Sequence, residues 1–195
     1  MSLEWAQASR ALQGQSQIGD VAWSRLSGGR FRVAVIDGLG HGHEAAAAAA
    51  LAERCLAGLV GEDVEASYAA LDHALARSRG AAISLADVDL VTGDLAWAGV
   101  GNVEGALLRA RDPRSERERL LLQSGIVGCR LPRVHSRKLK VEPGDWLIFH
   151  TDGVDGLVLR DLSPDWPLQG NADRLLASHA RVTDDALIWL GRFHG

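Results

Sequence analysis

Between positions 20 and 38 the chain reads DVAWSRLSGGRFRVAVIDG. Two strand-like runs flank Gly28-Gly29, and paired glycines suit the positive φ angles of a two-residue hairpin turn. Such a turn fixes the register of everything it joins. It sets Leu26 opposite Phe31, Ser24 opposite Val33, Ala22 opposite Val35, and Asp20 opposite Asp37. Two carboxylates then face each other at Cβ separations of about 4.5–5.5 Å, where like charges destabilise a strand pair. A cation between them would reverse that. On the other face the same register sets Arg25 against Arg32, which counts against an unbulged ladder unless the hairpin tip is solvated.

The rest of the chain alternates between the two backbone periods. LEWAQASRAL (3–12) reads as a strand. After Asp37 the apolar run passes three alternating glycines, Gly38, Gly40 and Gly42, and opens into an alanine-rich helix from His43 to Val60, closed by Gly58 and Gly61. A second helix is expected over 63–79, with Val64, Tyr68, Leu71 and Leu75 at helical spacing. GAAISLADVDL and LAWAGVG flank the turn VTGD as a second hairpin, and EGALLRA continues the sheet. RDPRSERER (111–119) reads as a charged loop. RLLLQ, VHSRKLKV and DWLIFHTD are further strands, the last two joined by EPGD. NADRLLASHA is a helix and DDALIWLGRF a closing strand. Strands, a helical pair, more strands, a helix and a strand argue for an α+β sandwich and against a doubly wound parallel sheet. No repeat or linker divides the chain, so residues 1–195 are expected to form one domain, long enough to bury a two-layer core.

A net charge of −4 and a pI near 6.0 give no footprint for nucleic acid or an anionic membrane. The alanine run is too short and too weakly apolar to span a bilayer. MSLEWAQASR has no apolar signal-peptide core. Cys55 and Cys129 sit in no paired motif, which fits free thiols in a reducing cytoplasm and leaves one disulfide open.

Asp37-Gly38 ends one apolar strand, Asp152-Gly153 ends another in WLIFHTDG, and Asp184-Asp185 begins a third in TDDALIWL. The ordinary use of aspartate at a strand end is to start a turn or cap a helix. That suffices for any one of these residues but not for a facing Asp20–Asp37 pair. Carboxylates, a backbone carbonyl and water suit hard divalent cations such as Mg²⁺ or Mn²⁺. His41 and His43 in HGH lack further ligands at zinc-site spacing. His150 shares strand parity with Asp152, and reads equally as a packed histidine or as a support for that carboxylate. DVDLV (87–91) superficially matches a phosphoaspartate-forming motif, but it precedes a hairpin turn where that chemistry needs a strand-to-helix crossover. The six tryptophans read as packing, and GVGN (99–102) lacks nucleotide-binding spacing.

The ordered set GD (19–20), DGLGHG (37–42), RGAAISL (79–85), GVGNV (99–103), QSGIVG (123–128), FHTDG (149–153) and DDALIWLG (184–191) resembles the bacterial metal-dependent serine/threonine phosphatases of the protein phosphatase 2C-like class. Within it, the small stressosome phosphatases are the nearest in pattern. The resemblance implies an αββα four-layer sandwich of two mostly antiparallel sheets flanked by helices, with a two-metal centre in the cleft between the sheets. Carried over position by position, Asp37 would bridge two Mn²⁺ or Mg²⁺ ions, the Gly38 carbonyl would bind one, and Asp20, Asp152 and Asp184 would complete the protein ligands. A metal-activated water would attack the phosphate. The family's last motif usually has Thr or Ser where this chain has Leu187, and animal relatives have a histidine where it has Leu39, so the general acid is unassigned. The implied substrates are phosphorylated STAS-domain proteins of a stressosome-type complex, with the phosphatase expected as a monomer. A catalytically silent docking module and a phosphatase of small phosphoesters are the rival readings.

Overall fold

The computed structural model describes residues 1–110, 117–155 and 161–195. One sheet contains β1 (Ser2–Arg10), β6 (Glu104–Leu108), β7 (Arg117–Arg119), β10 (Trp146–His150) and β11 (Ala186–His194), in the order β1-β11-β10-β6-β7. The other contains β2 (Asp20–Ser27), β3 (Arg30–Gly38), β4 (Ala81–Asp89), β5 (Asp94–Val100) and β8 (Leu122–Gln123) in sequence order, and β9 (Arg137–Lys140) also pairs with β5. Every named ladder is antiparallel except β5 with β8.

The inner faces of the two sheets meet in a core that includes Phe31, Val33, Val35, Trp97, Phe149 and Trp189. Helices α1 (His43–Gly58) and α2 (Val64–Leu75) cover the outer face of the second sheet through Ala48, Ala52, Tyr68 and Leu71. Helix α3 (Leu168–His179) covers the first through Leu175 and Leu176. The expected αββα sandwich is what the chain forms. No helix among the described residues is long and apolar enough to cross a membrane.

The hairpin has the register its turn dictates. Gly28 and Gly29 take φ of 58° and 78°, and the ladder pairs Asp20 with Asp37 and Arg25 with Arg32. The objection raised by the arginines is met from the next strand, because Arg32 also pairs with Asp87 of β4. Asp87 is buried and takes Arg32 Nη2 at 2.6 Å and Arg30 Nη2 at 2.8 Å. Arg25 is drawn aside, donating to the Ala57 and Leu59 carbonyls at the end of α1.

Several element limits differ from the sequence reading. The charged stretch 111–119 is not wholly a loop: Arg117–Arg119 form β7, an edge strand on β6, while 111–116 lie outside the described residues. Charged side chains suit a sheet edge, which they protect from further pairing. RLLLQ contracts to the two ladder residues of β8, and VHSRKLKV to β9. Helix α2 stops at Leu75, four residues short of the expected end, where the Ser78 hydroxyl donates to the Leu75 carbonyl.

Candidate metal centre

Asp20 opens β2, and Asp37 lies one residue from the end of β3, so the facing pair sits at one end of the sandwich. Alanine and glycine bring α1 down onto this end. A Cβ on Gly38 would lie 2.2 Å from the Ala45 carbonyl oxygen, and one on Gly19 would lie 2.7 Å from the Ala45 Cβ. Neither position admits a side chain while the helix sits there. The Gly38 N–H donates to the Gly19 carbonyl at 3.1 Å, tying the two acidic strand ends together.

Asp20 is 4% exposed. Its Oδ2 accepts a hydrogen bond from the Thr151 hydroxyl at 2.7 Å, and the Thr151 oxygen accepts from the Leu187 N–H at 2.9 Å. Thr151 therefore carries the first sheet's backbone order to a carboxylate of the second. Burial pushes the Asp20 carboxyl up to about 7 against the opposing Thr151 hydrogen bond, with Asp185, Asp184 and Asp152 adding to the rise. Burial, then Asp20, Asp152, Asp184 and Asp185, push Asp37 up to about 8. The acidic residues brought from β2, β3, the turn after β10 and the start of β11 thus share one electrostatic environment. They repel, and each makes the next harder to ionise.

The remaining carboxylates divide the work. Asp152 is exposed and accepts from Asn102 Nδ2 at 2.7 Å. Its neighbour Gly153 is pressed onto β11, since a Cβ there would fall 1.8 Å from the Asp185 carbonyl. Asp185 is buried, and its two oxygens each accept at 2.7 Å, from the Leu12 and Gly19 N–H groups. It anchors the segment leading into Asp20. Asp184 is partly exposed, and its carboxyl is raised by burial and by Asp152 and Asp185, against the Asp185 N–H and His41.

The five positions named from sequence as metal-binding therefore occupy one end of the fold. Thr151, Asn102 and the anchoring role of Asp185 were missed, although FHTDG, GVGNV and DDALIWLG contain all three. His150 does not join the carboxylates. The strand ends at His150, whose alternation places it with Trp146 and Ile148 towards the α3 layer. There its Nε2 lies 3.7 Å from Glu104, and burial lowers its pKa. His43 is exposed against Gln17.

Among the described residues no three His, Cys, Asp or Glu side chains close into a ligand cage. A hydrated hard cation does not need one, because Mg²⁺ keeps several waters and is commonly held through one or two carboxylates. A buried and a half-buried carboxylate facing each other, with an adjacent glycine carbonyl, fit that requirement in donor chemistry and in charge.

The family model for stage II sporulation protein E (SpoIIE) matches residues 27–188. No curated protein sequence matches the chain. Among solved structures, a chain from work on the bacterial stressosome as a modular system adapted to control secondary messenger signaling is 26% identical, with 98% of this chain and 100% of that one covered and a TM-score of 0.90. RsbX in complex with magnesium is 23% identical, with coverage of 97% and 94% and a TM-score of 0.87. The phosphatase domain of Bacillus subtilis SpoIIE with a fragment of its regulatory domain is 18% identical, covering 99% of this chain and 64% of that one, with a TM-score of 0.79.

Proposed function

The chain belongs to the stage II sporulation protein E family and is a protein phosphatase 2C-like serine/threonine phosphoprotein phosphatase; from that premise we propose that its acidic cleft is a two-metal catalytic centre. Asp37, the Gly38 carbonyl, Asp20, Asp152 and Asp184 would be the protein groups that hold Mn²⁺ or Mg²⁺ there. When bound, the ions would activate a water and neutralise phosphate charge in an in-line displacement. Thr151 holds the Asp20 carboxylate in place, and Asn102 does the same for Asp152. Asp185 fixes the approach to Asp20 through backbone N–H groups and remains outside the ligand set. Hydrolysis needs no phosphoenzyme and no thiol, and Cys55 and Cys129 are free.

The Asp20–Asp37 pair carries this reading. It is a facing pair of carboxylates whose pKa values are raised by burial and by further aspartates. Hydrolysis of a phosphoserine or phosphothreonine peptide is expected to vanish with chelator and to return with Mn²⁺ or Mg²⁺. Turnover that survives exhaustive chelation overturns the reading.

For the substrate, we infer phosphorylated STAS-domain proteins of a stressosome-type complex in the cytoplasm. Likeness over nearly the full chain to the stressosome structure and to RsbX supports this. Phosphate release from purified phosphorylated STAS-domain proteins, compared with unrelated phosphoproteins, tests it.

A further inference from the structure

The loop between Asp37 and α1 touches a cation that the two-metal reading does not use. Gly38 of β3 pairs with Ala81 of β4, and beyond that pair the Leu39 N–H donates to the Gly80 carbonyl at 3.0 Å. The next residues out are Gly40 and Arg79. Gly40 has φ of 91°, and a Cβ there would come 2.8 Å from Arg79 Nη1, so the guanidinium lies directly against the loop backbone. A glycine suits this position for its left-handed backbone.

The arginine makes two further contacts. Its carbonyl accepts from Cys129 Sγ at 3.4 Å, and its guanidinium is ion-paired with Glu44 in the first turn of α1. The side chains of Arg79 and Glu44 remain 51% and 60% exposed. An exposed ion pair of this kind contributes little to stability. It does hold a planar five-donor group against the loop that follows Asp37 and Gly38, and such a group suits phosphate and carboxylate.

We propose that Arg79 is a specificity-determining residue that receives an oxyanion of the phosphoprotein substrate beside the acidic centre. The inference rests on the phosphatase reading above. The oxyanion is either the phosphate being removed or an acidic side chain flanking the phosphorylated residue. Glu44 keeps the guanidinium presented to the cleft between turnovers.

Wild type, Arg79→Ala and Arg79→Lys are to be compared with Mn²⁺ on two phosphopeptides, one with acidic and one with neutral flanks. Inorganic phosphate serves as an inhibitor in the same assays. Losing a charge-assisted contact should raise KM for the acidic peptide about tenfold in Arg79→Ala, with kcat within about twofold and Arg79→Lys intermediate. A rise confined to the acidic peptide assigns the contact to the flank. An equal rise on both peptides, with weaker phosphate inhibition, assigns it to the transferred phosphate. Unchanged KM values and phosphate inhibition in a Mn²⁺-dependent enzyme overturn the role of Arg79 and leave the phosphatase reading standing. A smaller Mn²⁺-induced rise in Tm in Arg79→Ala also overturns it, since Arg79 would then support the metal site. A wild type without Mn²⁺-dependent turnover overturns both.

Discussion

One hairpin carries two like-charge pairs, Arg25 with Arg32 towards its tip and Asp20 with Asp37 at its open end. The ladder and turn are shared, so the difference lies in what surrounds each pair. At the arginine end the fold supplies its own counter-charge. Buried Asp87 takes both Arg30 and Arg32, and Arg25 is turned towards carbonyls at the end of α1. At the aspartate end the neighbours that act on the pair are more aspartates. Thr151 orients one carboxylate but brings no charge. A chain able to neutralise a like-charge pair from an adjacent strand does so at one end and adds to the repulsion at the other. That contrast is the physical case for a cation from solvent.

The largest effect expected from breaking this contrast is catalytic. Asp37→Asn keeps the side-chain shape and removes one charge, and kcat/KM should fall by about a thousandfold or more, as when a central electrostatic stabiliser is removed. The same variant should lose most of the Mn²⁺-induced rise in Tm, because a ligand stabilises only through the folded state it binds. An intact Mn²⁺ shift would make Asp37 a structural residue and move the centre elsewhere.

At the other end, Asp87→Asn leaves Arg30 and Arg32 without their shared partner. Denaturant unfolding should show a loss of about 3 kcal/mol, the lower part of the range for breaking a buried pair. Mn²⁺ should not restore it. A loss below about 1 kcal/mol would mean that solvent already screens the arginines, in line with exposed pairs, and would weaken the comparison.

Thr151→Val tests whether the aspartate end needs orientation as well as charge. Mn²⁺ affinity should weaken about tenfold or more, the usual cost of losing a group that holds a metal ligand. Titration followed by activity measures it, and unchanged affinity would reduce Thr151 to a packing residue.

The smallest effect has the opposite sign. Without metal, Asp37→Asn should stabilise the protein by about 1 kcal/mol, on the scale of a cross-strand like-charge pair. The pH dependence follows from the same repulsion. Folding raises the Asp20 and Asp37 pKa values from 3.8 to about 7 and about 8, so between these limits the folded state binds more protons than the unfolded chain. Their contribution is therefore present in full below pH 3.8 and is lost as pH rises through about 7 and 8. Chelator-treated wild type should show this falling component, and Asp37→Asn should show less of it. If the two proteins have parallel stability profiles from pH 5 to pH 8, the pair does not titrate as a repelling unit.

Local rules reached a long way into this molecule because several decisive features are local. Gly28-Gly29 fixes a register by turn geometry alone, and the register brings Asp20 to Asp37 without knowledge of any other strand. The glycines after Asp37 end the strand, and the alanine run marks the helix that follows. Edge elements were less legible. Arg117–Arg119 have the composition of a loop and become a strand because β6 offers them an edge. His150 was placed by extending strand alternation to Asp152, but the strand stops at His150 and the chain turns.

The sequence by itself determined the hairpin, an α+β sandwich and the acidic strand ends, since backbone period and turn chemistry act over a few residues at a time. The four-layer αββα order was implied only by the resemblance of its ordered motifs to a known family. Only the tertiary structure decided how those charges are used. Asp184 and Asp185 are adjacent and chemically identical, yet Asp185 is committed to the Leu12 and Gly19 N–H groups while Asp184 shares the field of the cleft. Thr151 reaches Asp20 across 131 positions of sequence, and Asp87 reaches Arg32 across 55. These contacts exist because two sheets and their covering helices bury the groups together, and burial makes an unmatched charge costly enough to require a partner.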